Sequence, residues 1–211
     1  LFRAFYIGCR RFHFFFKNRR LIILIDTIIL AGGMSKRFKR NKLATLYNGK
    51  PLICHVIETF LEFSENVTIV TGHYDLQYLT DYITNKKIRI INNSEYQNGM
   101  FTSVKTGVSI TENDFFLIPG DYPLVKPQTI QKIVDSFGTI RVPIYKGRKG
   151  HPIFISKELI QPLLNEPSDS NLKVFRDRHT VNYITVDDEG ILLDVDTLND
   201  LNQLTERNEK V

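Results

Sequence analysis

The sequence predicts an α/β domain built on a mostly parallel sheet sandwiched by helices, and three observations carry that reading. Short, nearly continuous apolar runs recur at regular intervals and stop at Gly, Pro or Asn, as strands buried on both faces do. Between them lie stretches whose apolar residues have helical spacing, so the chain alternates in the manner of βαβ units. A length of 211 residues, 42% hydrophobic and 24% charged, suits one core and excludes a disordered tail or a stapled mini-protein.

Residues 1–20, LFRAFYIGCRRFHFFFKNRR, come first and stand apart. They hold six cations and no acid; without them 22 Lys and Arg face 23 Asp and Glu, so the basic pI of about 9.1 belongs to this leader. A basic, aromatic stretch suits an anionic membrane surface. Upstream sequence outside the native fold is the plainer reading of its abrupt composition, and the folded domain is expected over residues 21–211. The run Leu21–Ala31 is shorter than the about 20 apolar residues a membrane span needs and contains Asp26, so stable insertion is not expected. Cys9 and Cys54 have neither disulfide-framework nor zinc-ligand spacing, which points to a reducing, cytoplasmic setting.

Ile22–Leu30 reads as the first buried strand, ended by Gly32 and Gly33. Ile53, Val56, Ile57, Phe60 and Leu61 space a helix, and Val67–Thr71, ended by Gly72, is the next strand. Leu76, Leu79 and Ile83 mark a second helix before the strand Ile88–Ile91, which stops at Asn92 and Asn93. Phe115–Ile118 follows, ended by Pro119 and Gly120, then a helix on Ile130, Ile133, Val134 and Phe137. The last third changes character. Short strands at Ile140–Tyr145, Pro152–Ile155, Tyr183–Val186 and Ile191–Val195 predict a mixed or antiparallel extension. A helix Thr197–Arg207 closes the chain, with Thr197 as N-cap and Asp200 completing an acidic variant of the capping box.

The first strand runs into Ala31-Gly32-Gly33-Met34-Ser35-Lys36-Arg37-Phe38-Lys39-Arg40-Asn41-Lys42, and no acid occurs from Thr27 through Ile57. Paired glycines let backbone approach a ligand while Arg and Lys supply charge-assisted bonds to phosphate, so the turn reads as a polyphosphate cradle. Neither a P-loop nor a dinucleotide fingerprint is present. Asp121, delivered into a Gly/Pro turn by the strand Phe115–Ile118, points into a ligand crevice if that strand is parallel, and its oxygens suit Mg²⁺. Asp194 and Asp196 share one face of an extended segment and are candidate partners. Each motif alone has a plainer reading: a solvated basic loop for the turn, an Asx turn or helix cap for Asp121.

Leu30-Ala31-Gly32-Gly33-x-Ser35-x-Arg37 ending in Lys42, with Gly120-Asp121-Tyr122-Pro123, Gly150-His151-Pro152 and Asp194-Val195-Asp196-Thr197, resembles the signature of nucleotidyltransferases related to molybdenum cofactor guanylyl- and cytidylyltransferases. The resemblance spans nearly all of residues 26–201, and Asn98-Gly99-Met100 with Ser103 is similar to a segment of the cytidylyltransferase branch. It implies a Rossmann-like, GT-A-type fold of the nucleotide-diphospho-sugar transferases and a Mg²⁺-dependent nucleotidyl transfer. Leu30, Ala31, Gly32 and Gly33, with Thr71 and Gly120, would then bind the nucleotide, and Arg37 and Lys42 its triphosphate. Arg37, Lys42 and Asp121 form the implied catalytic set; Asp121 and Asp196 are the implied metal ligands, with Asp194 as the alternative. Gly99, Met100, Ser103 and His151 would face the acceptor. The implied partners are CTP or GTP, a molybdopterin-type phosphate and a molybdenum hydroxylase apoprotein, and no nucleic acid.

The chain departs from the pattern at Lys39, where the family usually has Gly, and at Ser168-Asp169-Ser170-Asn171, which replaces a Gly-Asp-x-Gly segment. Ala31-Gly32-Gly33 resembles the guanylyl branch, whereas the two later motifs resemble the cytidylyl branch and weigh more. Joining two polyanions is chiefly a matter of neutralising charge, so no Ser-His-Asp set is needed; of the five histidines only His151 falls in a motif. Lys146, Arg148 and Lys149 form a second basic loop, read from charge alone as a solvated face, with an acceptor phosphate or an acidic partner surface as the alternative. Transfer to a sugar or polyol phosphate, and a non-catalytic accessory role, are the competing functions.

Overall fold

A computed structural model describes residues 13–16, 19–22, 24–35, 37, 38, 40–79 and 84–208. The strands in chain order are β1 His13–Phe16, β2 Arg19–Ile22, β3 Ile25–Ala31, β4 Leu46–Tyr47, β5 Lys50–Pro51, β6 Val67–Thr71, β7 Ile88–Asn92, β8 Asp114–Pro119, β9 Ile140–Tyr145, β10 Arg148–Lys149, β11 Ile153–Ile155 and β12 Val181–Thr185. The helices are α1 Leu52–Leu61, α2 Met100–Val108, α3 Pro127–Val134, α4 Ile160–Leu164, α5 Leu172–Asp177 and α6 Leu198–Asn208. Residues of the leader are described only in β1 and β2, which pair antiparallel in a sheet of their own.

The main sheet runs β10-β9-β11-β8-β3-β6-β7, with β12 parallel to β9. β3 lies in its interior, parallel to β6 on one side and β8 on the other, and every residue of β3 is buried. Chain order reverses between β3 and β8, because β6 and β7 extend one way and β8 starts the other, and ligands of open α/β sheets bind at such a switch. The expected antiparallel extension is β11, which pairs antiparallel with both β8 and β9.

Alternation along the central strands sends neighbouring residues into two cores. Ile29, Phe116 and Ile118 pack with Ile53, Ile57 and Phe60 of α1, Ile130 and Ile133 of α3, and Leu201 and Leu204 of α6. Ile28, Phe115 and Leu117 pack on the other face with Val104 and Val108 of α2, Leu163 of α4 and Phe175 of α5. Phe116 meets Phe60 and Phe154 edge-on at centroid separations of 5.6 and 5.4 Å, so one ring ties β8 to α1 and β11.

Two expectations need correction. Ile191–Val195 is no strand: Glu189–Leu192 form a 3₁₀ turn, because the Asp188 carboxylate accepts from Gly190 N at 2.9 Å and Gly190 lies where a Cβ would come within 2.1 Å of Leu124 O. The helix on Ile130 stops at Val134, leaving Phe137 82% exposed, because Arg141 Nη1 donates to the Ile133 and Val134 carbonyls and Gly138 turns at φ 104°. Of the helix on Leu76–Ile83 only a 3₁₀ turn Gln77–Leu79 is described, and Ile83 lies outside the described residues, as does Lys39. The closing capping box is present: Thr197 N donates to Asp200 Oδ2 at 2.7 Å and Asp200 N to Thr197 Oγ1 at 3.2 Å. In the divergent 168–171 segment, Asn171 caps α5 by accepting from Val174 N at 3.0 Å, and Ser170 donates to Glu166 at 2.7 Å.

Gly107 sets the approach of α2 to the sheet, since a Cβ there would stand 2.5 Å from Ile28 Cγ2 and 3.1 Å from Val70 Cγ2. Both neighbours are fully buried branched side chains with no room to yield. Gly107→Ala is therefore expected to lower unfolding free energy by about 1–3 kcal/mol in urea titration, despite alanine's better helix propensity.

Candidate active site

Past β3 the chain turns through Gly32, Gly33, Met34 and Ser35. A Cβ on Gly32 would meet Ser103 Oγ at 2.9 Å, so glycine here lets the turn seat on α2, whereas Gly33 meets nothing and lies open. Ser35 takes the positive φ of the turn (48°), and its carbonyl accepts from Phe38 N at 2.9 Å. Phe38 and Leu43 are buried, so the cationic loop is pinned to the core by two apolar anchors while Arg37 and Arg40 stay exposed. Asn41 Oδ1 accepts from Leu43 N at 3.1 Å and starts the 3₁₀ turn that carries Lys42.

β8 delivers Asp121. Gly120 N donates to Leu30 O at 2.9 Å and holds the ends of β3 and β8 together, and a Cβ at Gly120 would press on Leu43 at 3.3 Å. The returning segment is tied to the same point, because Val195 N donates to Asp121 O at 3.0 Å. Val195 is fully buried, so Asp194 and Asp196 on either side turn the other way. Asp121, Asp194 and Asp196 consequently bring carboxylate oxygens within 4.8 Å of one another.

Lys42 Nζ donates to Asp121 and, at 2.8 Å, to Asp196, while Arg37 donates to Asp196 as well. The Lys42 and Asp121 side chains are only 15% and 13% exposed, whereas Arg37 is 71% exposed; the first pair is fixed and the second exchanges easily with solvent or ligand. Burial opposes the Lys42 ammonium, but the charge of Asp121 and hydrogen bonds to both carboxylates outweigh it and raise its pKa. Burial pushes the Asp196 carboxyl up, yet the hydrogen bond and charge of Lys42 and the charge of Arg37 hold it below the usual range. Asp194 is lifted by desolvation together with the charges of Asp196 and Asp121.

A cleft of about 500 Å³ opens over this constellation. Leu30, Ala31, Gly32, Gly33, Arg37 and Lys42 line it from the first turn, Gly120 and Asp121 from the second, and Gly99, Met100, Ser103 and His151 from the far side. Thr71 is the expected residue that the fold keeps out: it is buried, and its hydroxyl donates to Ile91 O at 3.2 Å. Tyr96 and Gln97, missed in sequence, also line the cleft; they directly precede the Asn98-Gly99-Met100 segment. Tyr122, another missed wall residue, packs edge-on against His151 at 4.9 Å, and burial with the charges of Asp194, Asp121 and Asp196 raises its pKa.

His151 Nδ1 is buried without a hydrogen-bond partner. Burial pushes the imidazole down to about 4, against a hydrogen bond to the Leu117 backbone and with help from the charge of Arg176, so the ring is neutral at pH 7. His55 instead bonds the Tyr47 carbonyl at 2.8 Å, away from the cleft. No helix among the described residues is long and apolar enough to cross a membrane.

The arrangement fits what the chain is similar to. The MobA-like NTP transferase domain matches residues 27–182. The molybdenum cofactor cytidylyltransferase of Escherichia coli strain K12 is 30% identical over 189 residues, 87% of this chain and 96% of the relative. A probable molybdenum cofactor guanylyltransferase of Flavobacterium johnsoniae is 26% identical over 153 residues, covering 72% and 73%. Among solved structures, a nucleotidyl transferase from Methanothermobacter thermautotroptrophicus superposes with a TM-score of 0.75 at 17% identity, over 89% of this chain and 98% of that one.

His151 has a consequence for stability. Its folded pKa lies below its unfolded value, so its contribution is fully present above about pH 6.5 and is lost as pH falls through about 4. Between those limits the wild type should lose up to about 3 kcal/mol more unfolding free energy than His151→Gln, as read from denaturant melts across the range.

Proposed function

The chain belongs to the MobA-like NTP transferase family and is a nucleotidyltransferase, and from that premise we propose that it moves CMP from CTP to the phosphate of molybdopterin, releasing pyrophosphate. The observation that carries the proposal is the meeting of Asp121, Asp194 and Asp196 with Lys42 and Arg37 at one end of the cleft, beside the glycine turn. The cytidylyl reading rests on the relative that spans 87% of the chain and on Gly150-His151-Pro152 and Asp194-Val195-Asp196-Thr197. GTP is the second reading, favoured by Ala31-Gly32-Gly33 and by the guanylyltransferase relative.

A divalent cation fits the donors present. Asp121 Oδ1 is buried without a hydrogen-bond partner, and the three carboxylates offer hard oxygens of the kind Mg²⁺ takes. Asp121 and Asp196 would hold it, with Asp194 adjacent. When bound, it would supply positive charge to phosphate oxygens where donor and acceptor meet.

The residues of the chain then do the following. Gly33, open to the cleft, lets the triphosphate lie against backbone, and Lys42 sits at its inner end. An oxygen of the acceptor phosphate attacks the α-phosphorus of CTP, a P–O bond forms, and the bond from that phosphorus to the bridging oxygen of pyrophosphate breaks. The electron pair leaves with pyrophosphate, whose charge Arg37 and Lys42 receive. No general base is required, since a phosphomonoester with a second pKa of about 6 is largely ionised at neutral pH. Neutral His151 and Tyr122 close the acceptor side without adding a charge there.

Thermal unfolding of the full chain with CTP, GTP, ATP or UTP, each with and without Mg²⁺, tests the reading. CTP with Mg²⁺ at about 100 times its Kd should add about 2.7 kcal/mol and raise the Tm by roughly 5–11 °C; no shift with any nucleotide overturns it. Asp121→Asn should slow pyrophosphate release at least about 100-fold.

A further inference from the structure

The proposed function leaves a polar annex of the cleft without a role. A second pocket of about 270 Å³ shares Tyr122, His151 and Asp194 with the cleft and adds Arg148, Lys149 and Arg176. These cations come from two distant pieces of chain: Arg148 and Lys149 form β10, antiparallel to β9, and Arg176 belongs to α5. The Arg176 side chain is 14% exposed, and its Nε and Nη2 both donate to Asp177 Oδ1, at 3.0 and 2.7 Å. Its Nη1 has no partner among the described residues, and no carboxylate there pairs with Arg148 or Lys149. Lys149 Nζ rests over the Tyr183 ring at 4.5 Å. The remaining polar wall is the Asp194 carboxylate at the rim shared with the cleft, Tyr122, and the His151 imidazole, whose buried Nδ1 is unpartnered.

Gathering three cations around one pocket, with Asp177 alone hydrogen-bonded to any of them, is unfavourable until an anion enters. The chemistry at the neighbouring carboxylates requires such an anion. Arg37 and Lys42 serve the donor triphosphate, but an attacking phosphate must also approach Asp121, Asp194 and Asp196, and it needs cations of its own on that side. We propose that Arg148, Lys149 and Arg176 form the seat of the acceptor's phosphomonoester, adjoining the catalytic cleft through Tyr122, His151 and Asp194. Guanidinium forks match phosphate oxygens, and the neutral imidazole beside them adds no charge of its own. The inference rests on the transferase reading and adds the residues that recognise the attacking group.

The test uses the full chain saturated with CTP and Mg²⁺, titrated with inorganic phosphate and followed by calorimetry. Saturable binding is expected in the wild type, weakened at least about tenfold in both Arg176→Met and the double variant Arg148→Met/Lys149→Met, with CTP affinity kept within about twofold. Both β10 side chains are exposed, so the double variant reports on the pocket even if Arg176→Met folds poorly. Absence of saturable phosphate binding in the wild type, or unchanged affinity in the double variant, overturns the proposal while leaving the transferase reading standing. Pyrophosphate titrated in parallel should not displace the phosphate; displacement would assign the pocket to the leaving group instead. Failure of CTP itself to bind would sink the transferase reading and is seen before phosphate is added.

Discussion

A strand buried along its whole length has no surface on which to carry chemistry, and β3 is such a strand. Its parallel pairing with β6 and β8 forces everything reactive to the carboxyl edge of the sheet, where all three strands end together. The hydrogen bond from Gly120 N to Leu30 O fixes that edge between β3 and β8, and the bond from Val195 N to Asp121 O adds the returning chain to it. Segments more than 160 residues apart in sequence, Leu30 and Val195, thereby become neighbours through two backbone contacts. The side chains of the site inherit their positions from this pairing.

Charge at the edge is balanced locally. Three carboxylates close together repel, and Lys42 and Arg37 offset the repulsion while remaining on a loop anchored by Phe38 and Leu43. The buried Lys42 pair is rigid and the exposed Arg37 pair is not, so one cation defines the floor and the other is available to follow a ligand. On the far wall the neutral His151–Tyr122 pair and Asp194 line both the cleft and the pocket that carries the cations of β10 and α5.

Much of this is legible in the sequence. The buried runs gave the strands to within a few residues because two-sided burial leaves a plain apolar signature, and Val67–Thr71 and Ile140–Tyr145 match end to end. Gly32, Asp121 and Asp196 stand out because each follows a strand or flanks a turn, and all three line the cleft. Ile191–Val195 misled because its apolar residues are buried by crossing strand ends, not by lying in the sheet, and alternation cannot distinguish the two. Thr71 misled for a related reason: the end of a strand is near the site, but its hydroxyl had a backbone partner to satisfy. Arg176 carries no local signal at all, since it reaches the adjoining pocket through the packing of α5 and not through a motif.

Gly190 carries a consequence of a different kind. It touches no part of the cleft, yet the absence of a side chain lets it lie under Leu124 O and so sets where the next six residues run, including both Asp194 and Asp196. In a saturation scan scored separately for abundance and for turnover, such supporting positions would separate from the ordinary core: their substitutions displace the carboxylates of the site before they melt the fold. Sensitivity to mutation in this protein is then mapped by the path of the backbone into the site, and distance from the ligand is a poor guide to it.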